Sequence, residues 1–259
     1  MLRSPMKTLG LLAVAAVALP SLWQPASAAE GAIEIPKQNW SFGGIFGTFD
    51  RAAQQRGFKV YTEVCASCHG LQYVAFRNLS ALGYDEEAIK AIAANYTVVD
   101  GPNDSGEMFE REARPSDRFP PPFPNANAAR AAMGGAYPPD LSLMAKKRAG
   151  GADYIHALLI GYEEAPAGED VPDGQYWNKY FPGHRIAMPP PLYEDGVQFD
   201  DGTPATVEQM SSDLATFLTW TAEPMLETRK RMGVKAILFL LVLTGLLYAV
   251  KRKVWANLH

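Results

Sequence analysis

The chain has 259 residues and a formal net charge of −4, with room for one large domain or two small ones around a buried core. Its charge is unevenly placed. All 28 Asp and Glu lie between Glu30 and Glu227, where only fifteen Lys and Arg oppose them, a local net charge of −13. Such a stretch repels nucleic acid and anionic surfaces and attracts a cationic partner, with an on-rate that depends on ionic strength.

In chain order, Arg3 and Lys7 lead into an apolar run from Leu9 to Leu19 and then Ala26-Ser27-Ala28-Ala29. A positive start, a short apolar core and a small-residue site describe a secretory signal peptide. Residues 1–29 are therefore expected to be cleaved, leaving residues 30–228 as a periplasmic domain. Phe49, Ala52, Ala53, Val60, Tyr61 and Val64 recur at helical spacing on the approach to Cys65. Asp85-Glu86-Glu87 opens a helix to about Asn95, with acids at its positive end. Further helices are predicted from Asn125 to Met133, from Pro138-Pro139-Asp140 to Lys146-Lys147-Arg148, and from Asp153 to Tyr162. Thr206 and Gln209 form a capping-box pattern before a helix with Leu214, Phe217, Leu218 and Trp220 on its apolar face. Loops rich in Pro and Gly occupy 115–124, 166–182 and 189–204, and no strand alternation extends beyond a few residues.

Pro224 then restarts a helix. From Val234 to Val250 the chain is apolar except for Lys235 and Thr244. At about 1.5 Å per residue this run covers most of a roughly 30 Å hydrocarbon layer, and Lys235 is placed to snorkel. Arg229-Lys230-Arg231 precedes it and Lys251-Arg252-Lys253 follows. A transmembrane anchor is expected over 229–253, with a cytoplasmic tail over 254–259. The basic flanks do not set orientation, because the leading side is as basic as the trailing one; the export signal sets it, in the inner membrane.

The only two cysteines stand in Cys65-Ala66-Ser67-Cys68-His69. Two thiols three positions apart can each add to a haem vinyl group, and the adjacent imidazole then serves as proximal iron ligand. Zinc would need further Cys or His ligands nearby, and a thioredoxin-like pair would sit in a βαβ pattern, which is absent. One covalent haem c is expected, on Cys65, Cys68 and His69. For the sixth ligand, most exported methionines fall among apolar residues at helical spacing, where Met is usually packing. Met188 is set apart, in Ile186-Ala187-Met188-Pro189-Pro190-Pro191, where prolines fix the backbone. His184 is its competitor. Arg130, in an Ala-rich helix, is a candidate partner for the haem propionates, against the commoner fate of a solvent-facing arginine.

These residues, in this order, resemble the cytochrome c1 family, the haem subunits of cytochrome bc1 complexes, in a bacterial form. The likeness takes in Trp40-Ser41-Phe42-Gly43-Gly44-Ile45-Phe46-Gly47, Arg56-Gly57, Val60 to His69, Ala129-Arg130-Ala131-Ala132, Pro138-Pro139-Asp140-Leu141-Ser142, Met188-Pro189-Pro190 and the C-terminal anchor. It implies a mainly α, class I cytochrome c-like haem domain with long Pro/Gly-rich loop insertions and one C-terminal transmembrane helix. It implies His69 and Met188 as axial iron ligands and Arg130 as propionate partner. It also implies cytochrome b, the Rieske iron–sulfur protein and a c-type cytochrome acceptor as partners, within a dimeric complex in the lipid bilayer. An acidic surface would dock the acceptor, with Glu163, Glu164, Glu169, Asp170 and Asp173 as one candidate cluster and Asp104, Glu107, Glu110 and Glu112 as another. The alternative is an independent membrane-tethered cytochrome c that shuttles electrons to a terminal oxidase.

Overall fold

The structure is a computed structural model that describes residues 33–256. The expected signal peptide and the last three residues of the expected tail lie outside the described residues.

Local chemistry marks where most helices begin. Helix α1 (Arg51–Val60) is capped by the Asp50 carboxylate, which accepts the N–H groups of Ala52 and Ala53; helix starts leave such donors unpaired. It continues into a π-helical turn, Tyr61–Cys65, which delivers the first cysteine. A 3-10 helix (Phe76–Leu82) follows, then α2 (Glu86–Ala94), capped by Asp85 through Ala88 N–H. Strands β1 (Thr97–Asp100) and β2 (Phe109–Glu112) form an antiparallel ribbon with Thr97 opposite Glu112. Helix α3 (Ala126–Ala132) is capped by Asn125. Next come α4 (Met144–Lys147) and α5 (Ala152–Ile160). A second ribbon pairs β3 (Tyr176–Trp177) with β4 (Arg185–Ile186), and α6 (Val207–Ala222) and α7 (Leu226–Trp255) complete the chain.

The architecture is mainly α, as expected, with three departures. Two short ribbons exist where no strand was anticipated. The 3-10 helix after the motif was not read either. The helix predicted to run on from Pro139-Asp140 is a single turn, Met144–Lys147, because the Asp140 carboxylate is committed to the N–H groups of Gln72 and Ser142.

The core is organised on the crossing of α1 with α6. A Cβ on Gly57 would lie 2.1 Å from the Asp213 carbonyl and 2.7 Å from Phe217 Cβ, so only glycine permits the approach. Phe58, Tyr61, Phe76, Phe119 and Phe217 pack there as tilted and edge-to-face rings. An ion pair closes the seam. Arg56 donates from Nε and Nη2 to the two Asp213 oxygens at 2.7 and 3.1 Å, and from Nη1 to Asp201 at 2.7 Å. Gln209 Nε2 also donates to Asp213, so it does not return to Thr206 as a full capping box would.

Helix α7 is rooted in this body. Leu226 is buried in the core cluster; Glu227 accepts the Phe49 N–H at 2.9 Å. Lys230 Nζ donates to the carbonyls of Phe42 and Gly47 at 2.6 and 3.2 Å. Beyond that the helix bares its side chains, Ile237, Phe239 and Leu241 among them. Its most apolar stretch has a mean hydropathy of 2.2. At about 1.5 Å per residue, thirty residues make a rod of about 45 Å, long enough to cross a membrane.

Candidate haem site

The motif straddles the end of the π turn. Cys65 is buried, Cys68 half-buried, and both thiols are free. Burial pushes the Cys65 thiol up to about 12. His69 follows at once, and its ring is aimed by a residue far away in sequence: Nδ1 lies 2.7 Å from the Pro139 carbonyl. A carbonyl only accepts, so Nδ1 carries the proton and the lone pair resides on Nε2, which has no hydrogen-bond partner among the described residues. Burial lowers the His69 pKa against the pull of that carbonyl and Asp140, favouring the neutral ring that metal ligation requires.

The contact belongs to a seam between residues 69–73 and 139–142. Leu141 N–H donates to the Gly70 carbonyl at 2.9 Å. Gln72 N–H donates to Asp140 at 2.8 Å, and Tyr73 N–H to Ser142 Oγ at 3.1 Å. A Cβ on Gly70 would meet the Asp140 carboxylate at 2.9 Å, so that glycine lets the two segments close. From below, Tyr61 Oη donates to the His69 carbonyl at 3.1 Å.

Met188 is half-buried in coil just after β4. Its carbonyl accepts Tyr162 Oη at 3.0 Å, and the β3–β4 ribbon is pinned to the end of α5 by Asn178 Nδ2 donating to the Leu158 carbonyl at 2.7 Å. His184 stacks on Trp177 with ring centroids 4.9 Å apart and has Nδ1 3.2 Å from the Asn178 carbonyl. His156 is buried, with Nε2 3.0 Å from Glu208. Among the other methionines, Met144 and Met210 are core residues, while Met108, Met225 and Met232 are exposed.

Arg130 is exposed on α3. One Nη1–H donates to the Gly135 carbonyl at 3.0 Å, and the guanidinium lies 5.6 Å from the Tyr137 ring centroid. It pairs with no carboxylate among the described residues, which leaves most of its donors available to an anion. No hydrogen bond joins His69, Met188 and Arg130 to one another among the described residues.

The donor set fits a c-type haem: two thiols outside any disulfide, an imidazole with a free Nε2, a thioether on a braced backbone and an arginine with no carboxylate partner. Two cavities, of about 390 and 370 Å³, lie elsewhere and take no residue from this set. Sequence reading missed Tyr61 and Tyr162 as supports and the role of the Pro139 carbonyl; nothing in the local sequence reports contacts made across 70 and 26 positions.

The profile described as the Cytochrome C1 family matches residues 40–258. The protein called cytochrome b/c1 in Bradyrhizobium diazoefficiens is 52% identical over 97% of this chain, which spans only 40% of that relative's length. Cytochrome c1 of Rhodospirillum rubrum is 47% identical, over 94% of this chain and 96% of its own. Cytochrome c1 1, heme protein, mitochondrial, of Arabidopsis thaliana is 48% identical over 98% of this chain and 84% of that one. With residues 40–258 matched and relatives 47–52% identical over at least 94% of its length, the chain belongs to the cytochrome c1 family.

Proposed function

We propose that the chain is the electron-transfer subunit of a quinol–cytochrome c reductase, receiving electrons from the Rieske iron–sulfur protein and passing them to a c-type cytochrome. Within that ubiquinol–cytochrome c oxidoreductase it does no bond chemistry of its own; quinol oxidation belongs to cytochrome b. The observation that carries the reading is the His69 seam, which presents a neutral imidazole beside two free thiols.

One covalent haem c per chain would be held by Cys65 and Cys68, with His69 and Met188 on the iron and Arg130 facing the propionates. A His/Met-ligated haem supplies one-electron chemistry at a raised potential, with no open coordination position for a substrate. The chain's own part is positional: Pro139 orients His69, and Tyr162 braces the Met188 backbone. Residues 1–29 are read as a cleaved signal peptide and 30–228 as the periplasmic domain. Residues 229–253 are read as the inner-membrane anchor and 254–259 as a cytoplasmic tail, within a dimeric complex. The name cytochrome b/c1 of the Bradyrhizobium relative supports a place beside cytochrome b.

The test is a reduced-minus-oxidised optical spectrum of the tagged chain purified from membranes in mild detergent. A c-type band accompanied by b-type haem is the expected result. A c-type band alone, unchanged across gentle detergents, would point to the independent tethered carrier instead.

A further inference from the structure

We propose that the loop 41–48 is a second membrane contact, its tip residues Ile45 and Phe46 entering the headgroup–acyl boundary beside α7. The proposal rests on the reading that α7 spans the bilayer. Ile45 is 67% and Phe46 82% exposed, although Phe42 and Phe49 on either side are buried in the core. Two large apolar side chains are thus held out by a loop whose ends are anchored.

The loop is a built structure. Thr48 N–H donates to the Ser41 carbonyl at 3.1 Å and Gly43 N–H to the Trp40 carbonyl at 2.8 Å. A Cβ on Gly47 would fall 1.8 Å from the Gly43 carbonyl, so the base closes on bare backbone. Lys230 then clamps that base, donating to the carbonyls of Phe42 and Gly47. Only Gly43, Gly44, Ile45 and Phe46 lie between the clamped carbonyls.

Direction follows from two rungs on α7. Phe49 N–H meets Glu227, and Gly47 meets Lys230. The partner on α7 thus moves three positions, about 4.5 Å of helix, toward its apolar run in passing from Phe49 to Gly47. Lys230 stands four residues, about 6 Å, before Val234, and the interfacial layer is about 5–7 Å deep on each side.

Charge selects lipid as the occupant. The domain as a whole is strongly acidic, yet residues 38–49 carry no charged side chain, and the cation at their base is Lys230. An uncharged, apolar tip with the Lys230 ammonium at its base suits an interface with anionic headgroups, and its base is tied to the start of α7. Two attachments in place of one would set the heading of the whole domain over the membrane.

The test uses the full-length, haem-loaded chain in its membrane assembly, reconstituted in phosphatidylcholine–phosphatidylglycerol liposomes. A nitroxide is placed by Phe46→Cys, and its collisions with oxygen and with a water-soluble nickel chelate are compared by power saturation. Leu240→Cys in α7 gives the lipid reference and Glu163→Cys the aqueous one. The expected result is an oxygen-to-nickel ratio at position 46 several-fold above that at 163 and of the kind seen at 240. A ratio at 46 matching 163 overturns the proposal, and protection from both probes also overturns it by placing a protein partner there. Should position 240 itself read as aqueous, the spanning reading fails as well; a lipid reading at 240 with an aqueous one at 46 removes the loop alone.

Discussion

The Pro139 carbonyl that aims His69 is held by its neighbour, because the Asp140 carboxylate accepts both Gln72 and Ser142 N–H groups. Asp140→Ala is expected to lower stability by about 1 kcal/mol, since it leaves the buried Ser142 N–H unpaired while the exposed Gln72 N–H can turn to water. It should also shift the haem midpoint potential as the imidazole bond to Pro139 loosens. Asp140→Asn keeps one acceptor oxygen and should recover part of both, measured by denaturant melts and redox titration. For Met188, the expected outcome of Met188→Leu is retained covalent haem with a sharply lower potential; an unchanged potential would remove this thioether from the iron. The Cys-Cys-His motif was plain in the sequence because its chemistry is local. Met188 stood out only through its prolines, and its brace from Tyr162 was invisible, being a tertiary contact.

At the level of the elements, the caps were the legible part. Asp50, Asp85, Asn125 and Thr206 each sit one residue before a helix and accept its free N–H groups, and two of these starts, Asp85 and Thr206, were read from short polar signals. The two ribbons were not, since two- and four-residue strands are defined by their partners and carry no period of their own. The α1–α6 crossing depends on Gly57. Gly57→Ala forces a methyl against backbone at 2.1 Å, and overpacking of this kind costs about 1–3 kcal/mol, to be read as a lower denaturation midpoint. The ion cluster on the same seam predicts a pH response. Thr203 N–H and Arg56 hold the Asp201 carboxyl down to about 2, so it binds protons less readily folded than unfolded. Its contribution is complete above the ordinary carboxylate range and is lost as pH falls toward about 2. Asp201→Asn should therefore be less stable than the native chain at neutral pH, with the gap narrowing between about pH 4 and pH 2. Burial pushes the neighbouring Asp213 the other way, so its charged form opposes folding as pH rises through its own titration.

For the whole molecule, the imbalance of charge is the dominant long-range feature. Both acidic clusters are exposed, Glu163, Glu164, Glu169, Asp170 and Asp173 on one loop and Asp104, Glu107, Glu110 and Glu112 on the β1–β2 loop and strand β2. Only Glu169 among them has a cationic partner among the described residues, Arg185 at 3.3 Å. Electron transfer to a basic cytochrome is expected to slow steeply as salt rises past a Debye length of about 8–10 Å, checked by stopped-flow at graded ionic strength. A rate indifferent to salt would remove acidic docking from the account. Net composition could announce the acidity, but not its sorting: Asp201, Asp213, Asp100 and Asp117 are consumed by Arg56 and Arg111, and only the fold separates those from the free ones.

Helix α7 enters the body through three successive ties, at Leu226, Glu227 and Lys230, and runs unbroken to Trp255. Mechanically it is a mast stepped into the hull, with no swivel at the deck. A carrier mounted this way cannot swing to meet its donor and acceptor in turn. The body and its anchor therefore turn as one piece, and any reorientation of the domain must carry the helix with it.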